Sequence, residues 1–225
     1  MGANLIISYD GTVNDDDALS LGMELADAGA SLALAYVRHS REFDPTREEL
    51  AQHDAERRLA RGAAELGDET IPQHVVISAS TGEGLAKLAE AEGASVIVFG
   101  SDYRTPPGHA EPGQTAQTLL DGGPVAIAVA AAGLRTNARA RIGTIAVPDA
   151  GPHNDKARET ARALAQKLGA SVVESPTEAV DLIVVGSQPN APEGHVVLGG
   201  DVRSELSRVR SSLLVLPQGK TVFTS

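Results

Sequence analysis

The sequence predicts an α/β fold: a parallel five-stranded sheet, followed by a shortened second copy of the same fold. Three observations carry this. Short apolar runs alternate with amphipathic helical stretches along the first 130 residues, the pattern of strands joined by right-handed helical crossovers. A composite segment then occurs twice: Val96-Ile97-Val98-Phe99-Gly100-Ser101 with a Pro/Gly loop to Gly113, and Leu182-Ile183-Val184-Val185-Gly186-Ser187 with a Pro/Gly loop to Gly199-Gly200. The outer glycines are 13 positions apart in both, and each loop holds a Gly-His pair (Gly108-His109, Gly194-His195) ending four residues before the second glycine. Finally, an apolar run ending near an Asp opens each unit, but Asp10 precedes Gly100 by 90 positions and Asp149 precedes Gly186 by only 37. The second copy therefore lacks about one helix, one strand and most of another helix.

Leu5 to Tyr9 reads as the first strand, ending at Asp10-Gly11-Thr12. Asn14 to Asp17 supply capping oxygens and negative charge for a helix whose apolar face is Ala18, Leu21, Leu25 and Ala28, stopping near Gly29. Ser31 to Val37 is a second strand. A long helix runs from Thr46 to Leu66, with Thr46 and Glu49 as a capping box and Leu50, Ala51, Ala55, Leu59 and Ala63 inward. His74–Ser78, Val96–Phe99 and Val125–Val129 complete the first sheet, with helices at Glu83–Glu92 and Gly113–Leu120. The second unit has strands at 142–147, 170–173, 182–186 and 212–216, with helices from 153 or 154 to 168 and near 201–209. The expected boundaries are a complete unit over 1–132, a linker over 133–140, a shortened unit over 141–217 and a tail over 218–225, with a short edge strand at 221–223.

Composition narrows the chemistry. The 225 residues include no Cys, which excludes disulfides, thiolate metal sites and a Cys nucleophile. The formal net charge is −11, and no Lys/Arg-rich stripe offers a surface for nucleic acid. No apolar run has the roughly 20 residues of a membrane span, and no basic region precedes the first apolar run, so a cytoplasmic location is expected. HExxH, GxxxxGK[ST] and an ordered Ser/His/Asp set are missing, and no catalytic residue is assigned. A strand, a glycine, a loop and a second glycine opening a helix form the geometry in which backbone N–H groups hold phosphate.

These residues resemble the universal stress protein family in tandem form, with a truncated second domain. The resemblance covers nearly all of 4–130 and a shortened 141–217. It implies the adenine nucleotide alpha hydrolase-like (Rossmann-like) fold and, in members that bind ATP, a Gly-x2-Gly-x9-Gly-Ser/Thr loop after strand four and an Asp at the end of strand one. Asp10 matches that Asp, and Gly100 and Gly113 match the outer glycines. Tyr103 stands for the middle Gly and Gln114 for the Ser/Thr, with Thr115 next to it. The nucleotide site so implied comprises Asp10, Gly11, Val37, Gly100, Gly113, Gln114 and Thr115. Its weaker second-copy equivalents are Asp149, Gly186, Gly199 and Gly200, where Pro189 replaces the middle Gly and Gly200 the Ser/Thr. The ligand expected is ATP or another adenine nucleotide, with Mg²⁺ only if ATP binds. The family also pairs domains through their last strands, so Val125–Val129 and Leu213–Leu216 are expected to meet in an internal pseudo-dimer. A further homo-oligomer or a protein partner is left open.

The alternative is an interaction or scaffold protein that keeps the fold without the nucleotide. A weak nucleotide or phosphoester hydrolase comes third. Ile6 to Thr12 resembles the first motif of haloacid-dehalogenase-type phosphatases, but Ser8 stands where the nucleophilic Asp belongs. Asp15-Asp16-Asp17 resembles the Ca²⁺-binding cluster of nucleoside hydrolases, which leaves a minor metal reading on Asp10, Asp15 and Asp17 beside that of an acidic helix cap. His109 and His195 are either phosphate or metal contacts or exposed remnants of a common loop.

Overall fold

The computed structural model describes residues 4–137, 141–148, 154–174, 179–206 and 208–224. The elements run β1 (Asn4–Ser8), α1 (Val13–Ala26), β2 (Ser31–Arg38), α2 (Pro45–Glu65), β3 (Gln73–Ile77), α3 (Thr81–Glu92), β4 (Ala94–Phe99), α4 (Gln114–Leu120) and β5 (Ala126–Val129). After a 3₁₀ turn at Leu134–Thr136 come β6 (Thr144–Ala146), α5 (Asp155–Leu168), β7 (Ser171–Val173), β8 (Ala179–Gly186), α6 (Gly200–Leu206) and β9 (Arg210–Leu216).

Among the described residues these strands form one nine-stranded sheet in the order β3-β2-β1-β4-β5-β9-β8-β6-β7. Every pair within each half is parallel, and the halves join through the antiparallel pair β5–β9, with Ile127 opposite Val215, Ala128 opposite Leu214 and Val129 opposite Leu213. The last strands therefore meet as the sequence predicts. The order β2-β1-β4-β5 is mirrored by β7-β6-β8-β9. Only 174–178 separate β7 from β8, too few for counterparts of α2, β3 and α3.

Helices cover both faces, which is why the central strands are continuous apolar runs rather than alternating ones. Ala18, Leu21 and Leu25 of α1, Leu59 and Ala63 of α2, and Ala157, Ala161 and Leu164 of α5 build one core layer. Leu85 and Ala89 of α3, Ala116, Leu119 and Leu120 of α4, and Leu206 of α6 build the other. Across the join Ala128 and Val129 of β5 face the larger Leu214 and Leu213 of β9, and Ile127 faces Val215.

Several expectations are corrected. The α2 N-cap is Asp44, whose carboxylate accepts from Arg47 N at 3.0 Å, and Pro45 fills the first helical position, so no Thr46–Glu49 box forms. Leu50 is 64% exposed and lies off the buried stripe of that helix. Helix α3 starts earlier than expected, capped by Ser80. Residues 221–223 form no edge strand. Val222 and Phe223 are buried in the α5 core layer, and Val222 N donates to Thr160 Oγ1. The polar stretch after β5 is held too: Gly133 N, Arg135 N and the Arg135 guanidinium all donate to the buried Asp17 carboxylate of α1.

Candidate functional site

The turn after β1 is organised around Asp15. Its Oδ2 accepts from Asp10 N (3.0 Å), Thr12 N (2.9 Å) and Thr12 Oγ1 (2.8 Å), so an internal carboxylate occupies the donors on either side of Gly11. The Asp10 side chain is exposed at the carboxyl end of β1. Desolvation by the crowded turn, then the Asp15 charge, push its carboxyl above the ordinary range. The Asp10 carbonyl accepts from Arg58 of α2 at 2.9 Å. That guanidinium also lies 5.5 Å from the Tyr36 ring and pairs with Asp54. Tyr9 is buried beneath, donating to Asp16 at 3.3 Å, and burial raises its phenol to about 12.

Gly100 lies just past β4, close against the first turn of α1. A Cβ there would collide with the Asn14 carbonyl, and Asn14 Nδ2 donates to Ser101 O at 2.8 Å. In the second half, Asn154 Oδ1 accepts from Gly186 N at 2.9 Å. The requirement at Gly100 is thus helix packing against the strand end, whether or not an anion comes near.

The two matched loops share a serine clamp that sequence reading passed over. Ser101 Oγ donates to Ala130 O (2.6 Å) and accepts from Glu111 N (3.2 Å); Ser187 Oγ donates to Leu216 O (2.7 Å) and accepts from Val197 N (3.0 Å). Each serine thereby ties its loop to the last strand of its own half. Gly108 and Gly194 take left-handed backbone (φ +86° and +76°) and donate to Ala132 O and Gln218 O. His109 O and His195 O accept from Ala132 N and Gln218 N. The Gly-His repeat is a backbone device, with the signal in the Ser that follows Gly100 and Gly186. The two imidazoles differ. His195 is exposed, with Nδ1 3.1 Å from Glu193 O, whereas His109 is half-buried and its Nδ1 has no partner, so it is not the exposed remnant expected.

The implied site residues do not converge on one cavity. Val37 is buried in the α3/α4 core layer. Gly113 and Gln114 line a cavity of about 460 Å³ with Leu198, Arg203, Leu206 and Leu213 of the other half. Thr115 lies beside Gly82 at the start of α3. Gly199 sits against Gln188, Gly200 opens α6, and Asp149 lies outside the described residues, as does His153. The metal reading on Asp10, Asp15 and Asp17 is also corrected. Asp17 is directed at Gly133 and Arg135, and no His/Asp/Glu group suited to a metal occurs among the described residues.

The universal stress protein family model matches residues 3–131, more than half of the chain. The chain belongs to the universal stress protein family. Solved structures extend the likeness beyond the matched stretch. A universal stress protein from Archaeoglobus fulgidus DSM 4304 superposes with a TM-score of 0.70 at 15% identity, covering 96% of this chain and 98% of that one. A putative universal stress protein from Pseudomonas aeruginosa UCBPP-PA14 gives 0.62 at 16% identity, covering 95% and 92%. A functionally unknown protein from Pseudomonas aeruginosa PAO1 gives 0.61 at 14%, covering 96% and 92%. At these identities the likeness shows a shared fold over both halves. No curated protein matches the sequence.

This universal stress protein has a second inter-half cavity, of about 260 Å³, near the first residues of β8 and β9. Glu24 of α1 reaches it together with Arg141, Asp181 and Arg210. Glu24 Oε1 is buried without a hydrogen-bond partner, and desolvation, then Asp181 and Asp27, raise its carboxyl to about 7. An acid whose folded-state value lies above its unfolded value disfavours folding once it must ionise, so its contribution is fully present below about 4.5 and lost as pH rises through about 7. Glu24→Gln is therefore expected to match the wild type near pH 4 and to be more stable at pH 8 by about 1–2 kcal/mol, less than the full shift because solvent reaches part of the group. Urea denaturation at the two pH values checks this; an offset independent of pH contradicts it.

Proposed function

We propose that this chain is a stress-response regulatory protein of the interaction type, in which the loop over 100–113 has ceased to hold a nucleotide triphosphate. The observation that carries this reading is the loop's own hydrogen bonding. Asp102 N donates to Glu111 O (2.8 Å), Arg104 N to Asp102 Oδ1 (3.0 Å), Thr105 N to Asp102 O (3.0 Å) and Glu111 N to Ser101 Oγ (3.2 Å). These donors close a hairpin on itself. Tyr103, 74% exposed, stands at the position of the family's middle glycine, and the Asp102 and Glu111 side chains share a cavity wall with Gly113 and Gln114. A triphosphate there meets two carboxylates and a loop whose own amides at Asp102, Arg104, Thr105 and Glu111 are already used, so the residues present fit it poorly. We read the chain as a complete unit, 1–132, pairing through its last strand with a shortened unit, 141–217, in an internal pseudo-dimer. The mirrored strand order and the paired serine clamps support this.

The second reading is adenine-nucleotide binding along Asp10, Gly11, Val37, Gly100, Gly113, Gln114 and Thr115, with Mg²⁺ accompanying ATP. What favours it is the open Asp10 carboxyl beside the stacked Tyr36–Arg58 pair. Calorimetry with ATP, ADP and AMP, with and without Mg²⁺, separates the two. Flat titrations are expected, whereas micromolar binding that Asp10→Ala removes would overturn the first reading and establish the second.

A further inference from the structure

We propose that the cavity between α4 and α6 is a binding site for a small amphipathic amine: an apolar body carrying one ammonium group. This goes beyond the interaction role and does not rest on it.

The cavity forms only because the halves are joined. Ala110 to Gly113, Gln114 and Gln117 come from the first half, and Leu198, Arg203, Leu206 and Leu213 from the second. Its volume, about 460 Å³, falls within the range of about 300–1,000 Å³ typical of small-molecule sites. The floor is apolar, since Leu198, Leu206 and Leu213 are all buried. Polar groups line its exposed side. Asp102 and Glu111 bring two carboxylates, and Glu111 has no ion-pair partner among the described residues. Gln117 donates through Nε2 to Pro112 O at 3.0 Å, which leaves its Oε1 as an acceptor. Gln114 lies one helical turn before it. The cation on the wall, Arg203, is already paired with Asp121 at 3.1 Å. The lining therefore offers an apolar seat, acceptors and unneutralised negative charge, within a chain whose formal net charge is −11. An ammonium head is attracted there, a carboxylate head is repelled and a neutral head gains little.

In the shortened half, the loop after β8, α6 and β9 carry the floor, through Leu198, Leu206 and Leu213.

The test uses the full chain and three probes of matched size: 2-phenylethylamine, 2-phenylethanol and 3-phenylpropanoate, followed by calorimetry and by NMR of the leucine methyls. The amine is expected to bind about tenfold more tightly than the alcohol, with the carboxylate weakest, and to shift the methyls of Leu198, Leu206 and Leu213. Glu111→Gln with Asp102→Asn is expected to lower amine affinity about tenfold and leave the alcohol unchanged. Gln117→Trp, a change at an exposed position, fills the mouth and removes binding of both. Equal affinity for all three probes, no amine binding up to about 10 mM, or amine binding that Gln117→Trp leaves intact would each overturn the proposal. ATP titrations do not enter this readout, so it stands or falls separately from the nucleotide question.

Discussion

Asp17→Ala is expected to destabilise the chain by about 3–5 kcal/mol, the cost of removing one partner from a buried charged network. Asp17 has no exposed surface. Its carboxylate accepts from Gly133 N at 2.8 Å, Arg135 N at 2.9 Å and Arg135 Nη1 at 2.9 Å, across 116 to 118 positions of sequence. Alanine leaves two backbone donors and a half-buried guanidinium without a partner and opens a void inside α1. The segment so tethered is the one that leaves β5 and leads to the second half. In thermal unfolding the loss corresponds to a drop of about 6–20 °C for a chain of this size. Two controls sharpen the result. Arg135→Ala, which leaves the backbone bonds in place, is expected to cost less, and the double variant is expected to cost less than the two single effects added together. Hydrogen exchange supplies the local signature: the amides of Gly133 and Arg135 lose protection in Asp17→Ala and keep it in Arg135→Ala. A loss below about 1 kcal/mol would show that this carboxylate does not hold the segment.

Asp17 also shows where sequence reading stops. The acidic run after Thr12 reads naturally as a helix cap, and Asp15 does serve that end of the helix. Yet Asp17 lies four residues before Leu21 and eight before Leu25, on the buried stripe of α1. An acid in phase with an apolar face is the signal that a distant donor set must exist, but the sequence does not say that it lies beyond β5. The strands were legible because parallel strands covered on both faces are near-continuous Val, Ile, Leu and Ala runs, and the meeting of the last strands followed from the family resemblance. Leu50 was not, because a helical apolar pattern permits more inward positions than α2 uses once Asp44 and Pro45 set its start. Val222 and Phe223 lie beyond the last strand, where no periodicity marks them, although they seal the α5 layer. The site was the least legible part. Gly100, Gly113 and Asp10 read as one ligand set by glycine spacing and family resemblance. Spacing cannot reveal that Gly100 is needed by Asn14, or that Gly113 faces the second half.

Leu214→Ala is expected to cost about 2–5 kcal/mol and, more tellingly, to unfold both halves together. Leu214 is fully buried, lies opposite Ala128 of β5 on one side and Val184 of β8 on the other, and belongs to the core layer that also contains Leu5, Leu21 and Leu164. Because the sheet and this layer run unbroken across the join, a void at Leu214 withdraws packing from both units at once. The chain carries its own reporter for this. All three tyrosines, Tyr9, Tyr36 and Tyr103, lie in the first half, and there is no Trp. Tyrosine emission therefore follows the first half, whereas far-ultraviolet circular dichroism follows the helices and strands of both. For a single cooperative body, the substitution in β9 moves the two transitions by the same amount, and they stay superimposed. If the halves were independent units joined by a linker, the tyrosine transition would remain at its wild-type position while the dichroism transition split into two. Leu164→Ala, in α5 and remote from β5, extends the argument. Leu164 shares the core layer with Leu21 and Leu25 of α1 and with Tyr9, so its effect on tyrosine emission reports coupling of the two halves through that layer.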